Sequence, residues 1–320
     1  MRKTLVALAV IAIALASPPA APAQPLPALK VLIPANPGGG WDQTTRAMEQ
    51  ALRSEKLVTG AIRLTNKGGA GGTIGLAEFA KSKGEGGSLM TMGLVMVGAI
   101  LTNKSPVTLE ATTPIARLTS EYLVIAVPAA SKLQSLKDLT EALKKDPGAV
   151  AIAGGSRGGS DHIMAALVAE AVGVPGAKVN YVAYAGGGEA VAALLGAQVA
   201  GGISGYGEFQ AHIESGKLRA LALSAPARVP GVNVPTLKEQ GVNVEFGNWR
   251  GVVAPEGITA ADRKVLLDTV DRMVKSAAWK EQLKKHNWED AYLSGDAYGA
   301  FIKAENERVA RVLRSAGLVK

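Results

Sequence analysis

Residues 29–52 read LKVLIPANPGGGWDQTTRAMEQAL, and this stretch decides the fold. Its opening LKVLIPAN is an apolar run of the length of a buried strand, which Pro37-Gly38-Gly39-Gly40 brings to a stop. From Trp41-Asp42 onward, Met48, Ala51 and Leu52 fall on one face of a helix. A buried strand passing through glycine into an amphipathic helix is the repeating unit of a parallel α/β sheet. Such sheets bind ligands at the carboxyl ends of their strands, against the helix N-termini.

The unit recurs along the chain. Residues 61–66 lead into Gly68-Gly69-Ala70-Gly71-Gly72 and a helix from Thr73. Residues 149–153 lead into Gly154-Gly155-Ser156-Arg157-Gly158-Gly159, after which Ser160-Asp161 opens a helix to Ala171. Residues 179–184 lead into Gly186-Gly187-Gly188, and Glu189 opens a short helix to Leu195. Further buried strands are predicted over 89–96, 122–127 and 218–223, and a Ser-capped helix over 135–145. Beyond residues 248–253 the pattern is helical throughout, over 259–275, 277–285 and 296–316. Glycine junctions thus number two in each half, and the 297 residues from Gln24 onward exceed one comfortable core. Two α/β lobes facing each other across a cleft are expected.

At the N-terminus, Arg2 and Lys3 precede an apolar run over 5–15, then Ser17-Pro18-Pro19 and Ala21-Pro22-Ala23 ahead of Gln24. This is the layout of a secretory signal peptide, its apolar run too short to span a bilayer. Cleavage is expected near Ala23. The richest apolar stretch after it, residues 90–101, is also too short and carries Gly93 and Gly98. The chain has no cysteine, which removes disulfides, thiolate metal sites and the cysteine of a lipid-anchored export signal. A soluble protein of the periplasm is expected. The formal charge is +8, or +6 without Arg2 and Lys3 (33 basic against 27 acidic residues), with no long basic run and 4% aromatics. That pattern does not suit nucleic acid; it suits mild attraction of anionic solutes or ordinary solubility.

A glycine cluster before a helix lets the backbone approach a ligand and aims the unpaired N–H groups of the first turn at it. The helix dipole adds partial positive charge there, so carboxylates or phosphates are recognised with few cationic side chains. One such run alone is more often a tight turn; four at equivalent places point to anion binding. The Gly-x-Gly pairs at 38/40, 69/71, 84/86, 186/188 and 205/207 lack the third glycine of a dinucleotide fingerprint, and no P-loop occurs. Gly154-Gly155-Ser156-Arg157-Gly158 matches the G-x-S-x-G of a serine hydrolase between strand and helix. His212 or His286 would then have to act as base. His286, in Lys284-Lys285-His286, reads as part of a solvated face, and no HGGG-type loop is present. An exported serine esterase using Ser156 is the alternative; a serine that caps or lines a turn is the preferred reading. The three histidines are far apart in sequence and form no H-E-x-x-H, so no metal centre or cofactor is expected.

An ordered series of motifs carries a resemblance: PANPGGGWD (34–42), NKGGAGGTIG (66–75), YAGGG (184–188), GKLRALA (216–222), PTLKEQG (235–241), NWRG (248–251) and APEG (254–257). In this order, over nearly all of the chain after the signal segment, they resemble the substrate-binding subunit of tripartite tricarboxylate transporters. The resemblance implies a two-lobed periplasmic binding protein, type II-like, with a ligand cleft between lobes joined by crossing strands. It implies a citrate-like di- or tricarboxylate as ligand and large and small membrane subunits as partners. The binding protein is expected to be a monomer with no enzymatic activity. The expected lobes are 24–122 with 223–320, and 123–222.

Carried over, the loop after the first strand (Pro37, Gly38, Gly39, Gly40 and Trp41) holds carboxylate. So do Ser156, Ser160 and His162, and Tyr184, Ala185, Gly186 and Gly187, with Asn66, Gly72 and Thr73 in support. Trp41 and Arg250 resemble the tricarboxylate branch. Arg250 either makes a bidentate contact to an additional carboxylate or serves the structure. Trp41 is a cleft wall or core packing, and Asp42 an N-cap rather than a ligand contact.

Overall fold

The structure, a computed structural model, describes residues 25–320; the expected signal segment lies outside them. The first lobe opens with β1 (Leu29–Ile33), α1 (Gly40–Ser54), β2 (Ile62–Asn66), α2 (Thr73–Phe79), β3 (Ser88–Gly93) and α3 (Leu94–Thr102). β1 lies between β2 and β3, parallel to both. The chain leaves on β4 (Thr112–Pro128). The second lobe follows: α4 (Leu136–Lys145), β5 (Ile152–Gly154), α5 (Ser160–Ala171), β6 (Tyr181–Ala183), α6 (Gly187–Leu195), β7 (Gly201–Gly205), α7 (Tyr206–Glu214) and β8 (Leu218–Leu223). β9 (Gly247–Pro255) returns the chain, and α8 (Ala260–Lys275), α9 (Ala277–His286), β10 (Glu289–Ser294) and α10 (Gly295–Ser315) complete it.

β4 joins the lobes. Its first part pairs with β9 and β10, and residues 123–128 pair with β7 and β8. The sheet order is β2-β1-β3-β9-β4-β7-β5-β6. The parallel pairing expected from the alternation of strands and helices holds within each lobe, while the crossing strands make the sheet as a whole mixed. Parallel pairs hold the outer strands, but β9 is antiparallel to both β3 and β4. The reason is topological: the chain crosses outward on β4 and back on its neighbour β9, in opposite senses.

Other expectations also shift. The apolar run 89–96 is not one strand; β3 ends at Gly93 and α3 begins at Leu94, because continuous apolarity carries no period to mark the change. Residues 122–127 prove to be the tail of the 17-residue β4. β10 interrupts the helical C-terminal region. Tyr298, Ile302, Val309 and Leu313 of α10 share an apolar cluster with Met92 and Leu94 of the first lobe and Ile163 and Met164 of the second. That helix thus ties both lobes into one core.

Candidate ligand-binding site

Helix starts differ in how they are capped. α4, α8 and α9 have side-chain caps from Ser135, Thr259 and Ser276. α1, α5, α6 and α7 begin after Gly39, Gly159, Gly186 and Gly205, with no side-chain cap. Glycine at the N-cap leaves first-turn N–H donors open to another acceptor. The starts of α1, α5 and α6 meet around a small cleft of about 60 Å³. Its first-lobe wall is Ala35, Gly39, Gly40, Trp41 and Val95; Asn248 and Arg250 of β9 form its floor. Gly155, Ser156, Ser160, Asp161 and Glu208, with residues 185–187, form the opposite wall.

A first-turn carboxylate braces each loop. Asp42 Oδ2 accepts from the Gly38 N–H at 3.0 Å, Asp161 Oδ2 from Gly155 at 2.8 Å, and Glu189 Oε2 from Ala185 at 3.1 Å. Glu208 accepts from the Ser204 hydroxyl on the preceding strand. Acidic groups are stabilised at helix N-termini, and each fixes its loop by taking an N–H or hydroxyl donor. Burial works against the Asp42 carboxylate. Hydrogen bonds from Arg46, Gly38 and Asn66, with the Arg46 charge, outweigh it and hold the group below its usual range.

Beneath the cleft, Arg250 forms a buried ion pair with Glu121 of β4. Trp288 Nε1 donates to the other Glu121 oxygen at 3.0 Å. Burial pushes Asp161 up to about 6 and Glu208 up to about 7, the latter against the pull of Arg250. Two polar atoms in this space, Arg250 Nη1 and Asn248 Oδ1, are buried without a partner among the described residues. Close packing demands glycine at two cleft positions: a Cβ on Gly40 would collide with the Arg250 guanidinium, and one on Gly187 would lie 2.6 Å from Glu208 Oε1. Across the mouth, Asn36 Nδ2 donates to Glu189 Oε1 at 2.5 Å, and Thr102 Oγ1 to the Arg157 carbonyl at 3.3 Å.

A family model described as the tripartite tricarboxylate transporter family receptor matches residues 45–318. The chain belongs to that receptor family. BugT of Bordetella pertussis is 31% identical to the receptor over 310 residues, covering 95% of this chain and 93% of BugT. Among solved structures, the periplasmic binding protein BugD matches with a TM-score of 0.83 at 25% identity, over 92% of the receptor and 98% of BugD. Rpa4515 of R. palustris, solved with adipate, shares the fold with a TM-score of 0.81 at 22% identity, over 90% and 97% of the two chains. The receptor is a periplasmic solute-binding protein, not an enzyme.

Of the residues singled out in the sequence, Gly39, Gly40, Trp41, Ser156, Ser160, Ala185, Gly186, Gly187 and Arg250 all line the receptor's cleft. Trp41 lines the cleft, and its ring lies against Gly72 within the same apolar cluster as Met96. Others stand apart. Pro37 and Gly38 do not line the cleft; they are exposed, next to Gly188 at the start of α6. Asn66 Nδ2 braces that loop through the Ala35 carbonyl and Asp42, and the Thr73 hydroxyl donates to the Ala70 carbonyl. Tyr184 lines a neighbouring depression with Ser156, Ala70 and Gly71.

His162 stacks on Tyr181, and its Nδ1 accepts from the Gly158 N–H. Burial, with the Arg157 charge, lowers it to about 4 and keeps it neutral. Asp42 is corrected from N-cap to first-turn residue, because Gly39 takes the cap position. His286 is corrected from a solvated face to a half-buried ring stacked on Trp288. Sequence reasoning missed Glu121 and Glu208 altogether, reached Asp161 only as part of the loop 156–162, and gave Asn248 no role at the cleft. The Gly205-Tyr206-Gly207 pair just before Glu208 was a fifth glycine junction that could have found one of them.

Proposed function

We propose that the receptor captures a small organic acid between its lobes and presents it to the large and small membrane subunits of a tripartite transporter. The observation that carries this reading is the convergence of three uncapped helix starts and the Arg250 guanidinium on one cleft. Backbone donors reinforced by helix dipoles hold carboxylates without a matching number of cationic side chains. The adipate of Rpa4515, a dicarboxylate on the same fold, supports the reading. Arg250 is spoken for by Glu121, and Asp161 and Glu208 add acidity, so a dicarboxylate suits the cleft better than a triply charged citrate. Residues 1–23 direct export, and 24–122 with 223–320 close against 123–222 about the crossing strands.

The test is a thermal-shift panel of mono-, di- and tricarboxylates on protein refolded free of co-purified ligand. An acid at 100 times its Kd adds about 2.7 kcal/mol of stability. A flat response to every acid removes this function.

A further inference from the structure

We propose that Glu305 of α10 is a positioning residue for solute capture: through the Trp249 indole it fixes how β9 passes between the lobes, and so sets the seat of Arg250 and the angle at which the empty lobes rest. This rests on the two lobes moving about the crossing strands. Trp249 and Arg250 are neighbours on β9, so their side chains leave opposite faces of the strand. Arg250 lies at the cleft, whereas Trp249, only 4% exposed, points into α10. The Trp249 ring meets Tyr298 and Phe301 edge-on, with centroids 6.1 and 5.1 Å away. Its Nε1 donates to Glu305 Oε2 at 2.7 Å. Any roll of β9 about its own axis therefore moves the indole and the guanidinium together.

Glu305 is held in its turn. Arg308, on the next turn of α10, donates to it through Nε at 2.6 Å and Nη2 at 2.8 Å. Burial works against the Glu305 carboxylate, but the Arg308 bonds and charge, with the Trp249 bond, keep it below its usual range. The Arg308 guanidinium also lies over the Phe246 ring, 5.9 Å from its centre. Phe246, just before β9, is fastened on the second-lobe side. Its N–H donates to the Ser224 carbonyl at 3.0 Å, and its own carbonyl accepts from the Ser224 hydroxyl at 2.6 Å. That same Ser224 oxygen accepts from the N–H of Leu123, in the part of β4 that pairs with β7 and β8. One turn of α10 thus grips the returning strand twice, at Phe246 and at Trp249. Apolar side chains in place of the whole group would hold helix to strand about as firmly. What the carboxylate adds is direction, because a hydrogen bond fixes the orientation of the ring that donates it.

The chain has no cysteine, so spin labels on Gln50→Cys of α1 and Ala192→Cys of α6, both exposed, report the separation of the lobes. The measurement is double electron–electron resonance on protein refolded free of co-purified ligand. Glu305→Leu and Trp249→Phe each break the indole bond. Both are expected to broaden the distance distribution, shift it by about 2 Å or more, and move the side-chain N–H NMR signal of Arg250. Glu305→Gln still offers Trp249 an oxygen and is expected to stay close to the unsubstituted receptor in both readouts. Labels that stay in place in Glu305→Leu and Trp249→Phe, with only urea stability lowered, would overturn the positioning role. So would a Glu305→Gln that moves them as far as Glu305→Leu. Asn36→Ala, which removes the contact across the mouth, separates this role from the lobe motion beneath it. Labels that move there but not in the α10 and β9 variants remove the role of Glu305 alone; labels that move in none remove the hinged lobes as well.

Discussion

Arg250 and Glu121 form a buried ion pair between β9 and β4, at the point where the two crossing strands pass under the cleft. The guanidinium lies 5.7 Å from the centre of the Trp288 ring, whose Nε1 holds the other Glu121 oxygen. Removing one member of such a pair strands the other charge, a loss of about 3–5 kcal/mol, whereas replacing both with neutral groups is far milder. Arg250→Met is therefore expected to lower the free energy of urea unfolding by about that amount. The double variant Arg250→Met/Glu121→Gln is expected to recover most of it. If the double variant is as unstable as the single one, stranded charge is not the cause.

Gly40 is where fold and site meet, since its missing side chain is the space the Arg250 guanidinium occupies. Gly40→Ala pushes a buried, paired group sideways. Overpacking of this kind costs about 1–3 kcal/mol. Ligand affinity is expected to fall about 10-fold or more, because displacement of a positioning group by an ångström is costly. Urea titration and calorimetry of the same variant check both. Full affinity in Gly40→Ala would show that the guanidinium does not need its present seat.

Much of this was legible in the chain. Strand, glycine and helix alternate in period as well as composition, so β1 with α1, β5 with α5 and β6 with α6 could be located from residues alone. The glycine positions that line the cleft follow from the same junctions. What was hidden depends on partners distant in sequence. Glu121 sits one residue before the apolar run read as a strand, and only the pairing of β4 with β9 brings it beneath Arg250. Arg250 by itself could equally reach for a ligand. Its engagement by a residue 129 positions away has no local signature. The antiparallel centre of the sheet was hidden for the same reason, because strand direction is set by the crossover and not by side-chain pattern.

Asn36 and Glu189 join the β1–α1 loop of one lobe to α6 of the other by a 2.5 Å hydrogen bond. The same Glu189 holds its own loop through Ala185, so the contact couples lobe closure to the shape of the binding loop. A hydrogen bond to a charged group contributes about 1.5–3 kcal/mol, less where water competes at the mouth. Asn36→Ala is expected to weaken the bound ligand about 5- to 10-fold, chiefly through faster release. Stopped-flow release measurements check this. A slower association rate with unchanged release would place the effect on entry instead of closure.

The buried carboxyls and histidines give the ligand-free receptor a pH dependence whose sign can be worked out. Glu208 and Asp161 titrate near 4 in an unfolded chain, but burial raises them to about 7 and about 6 in the fold. From about pH 4 to pH 7 the folded state therefore holds the extra protons, and these groups make stability fall as pH rises. His162 and His286 act oppositely, since burial lowers both to about 4 from an ordinary value near 6.5. Across that interval the unfolded chain binds more protons and stability rises with pH. The two trends oppose each other throughout, and both are nearly complete by about pH 8. Glu208→Gln, neutral throughout, is expected to melt above the wild type at pH 8 and close to it at pH 5. Scanning fluorimetry at the two pH values decides the matter, and an equal Tm difference at both would mean that Glu208 carries no proton into the fold.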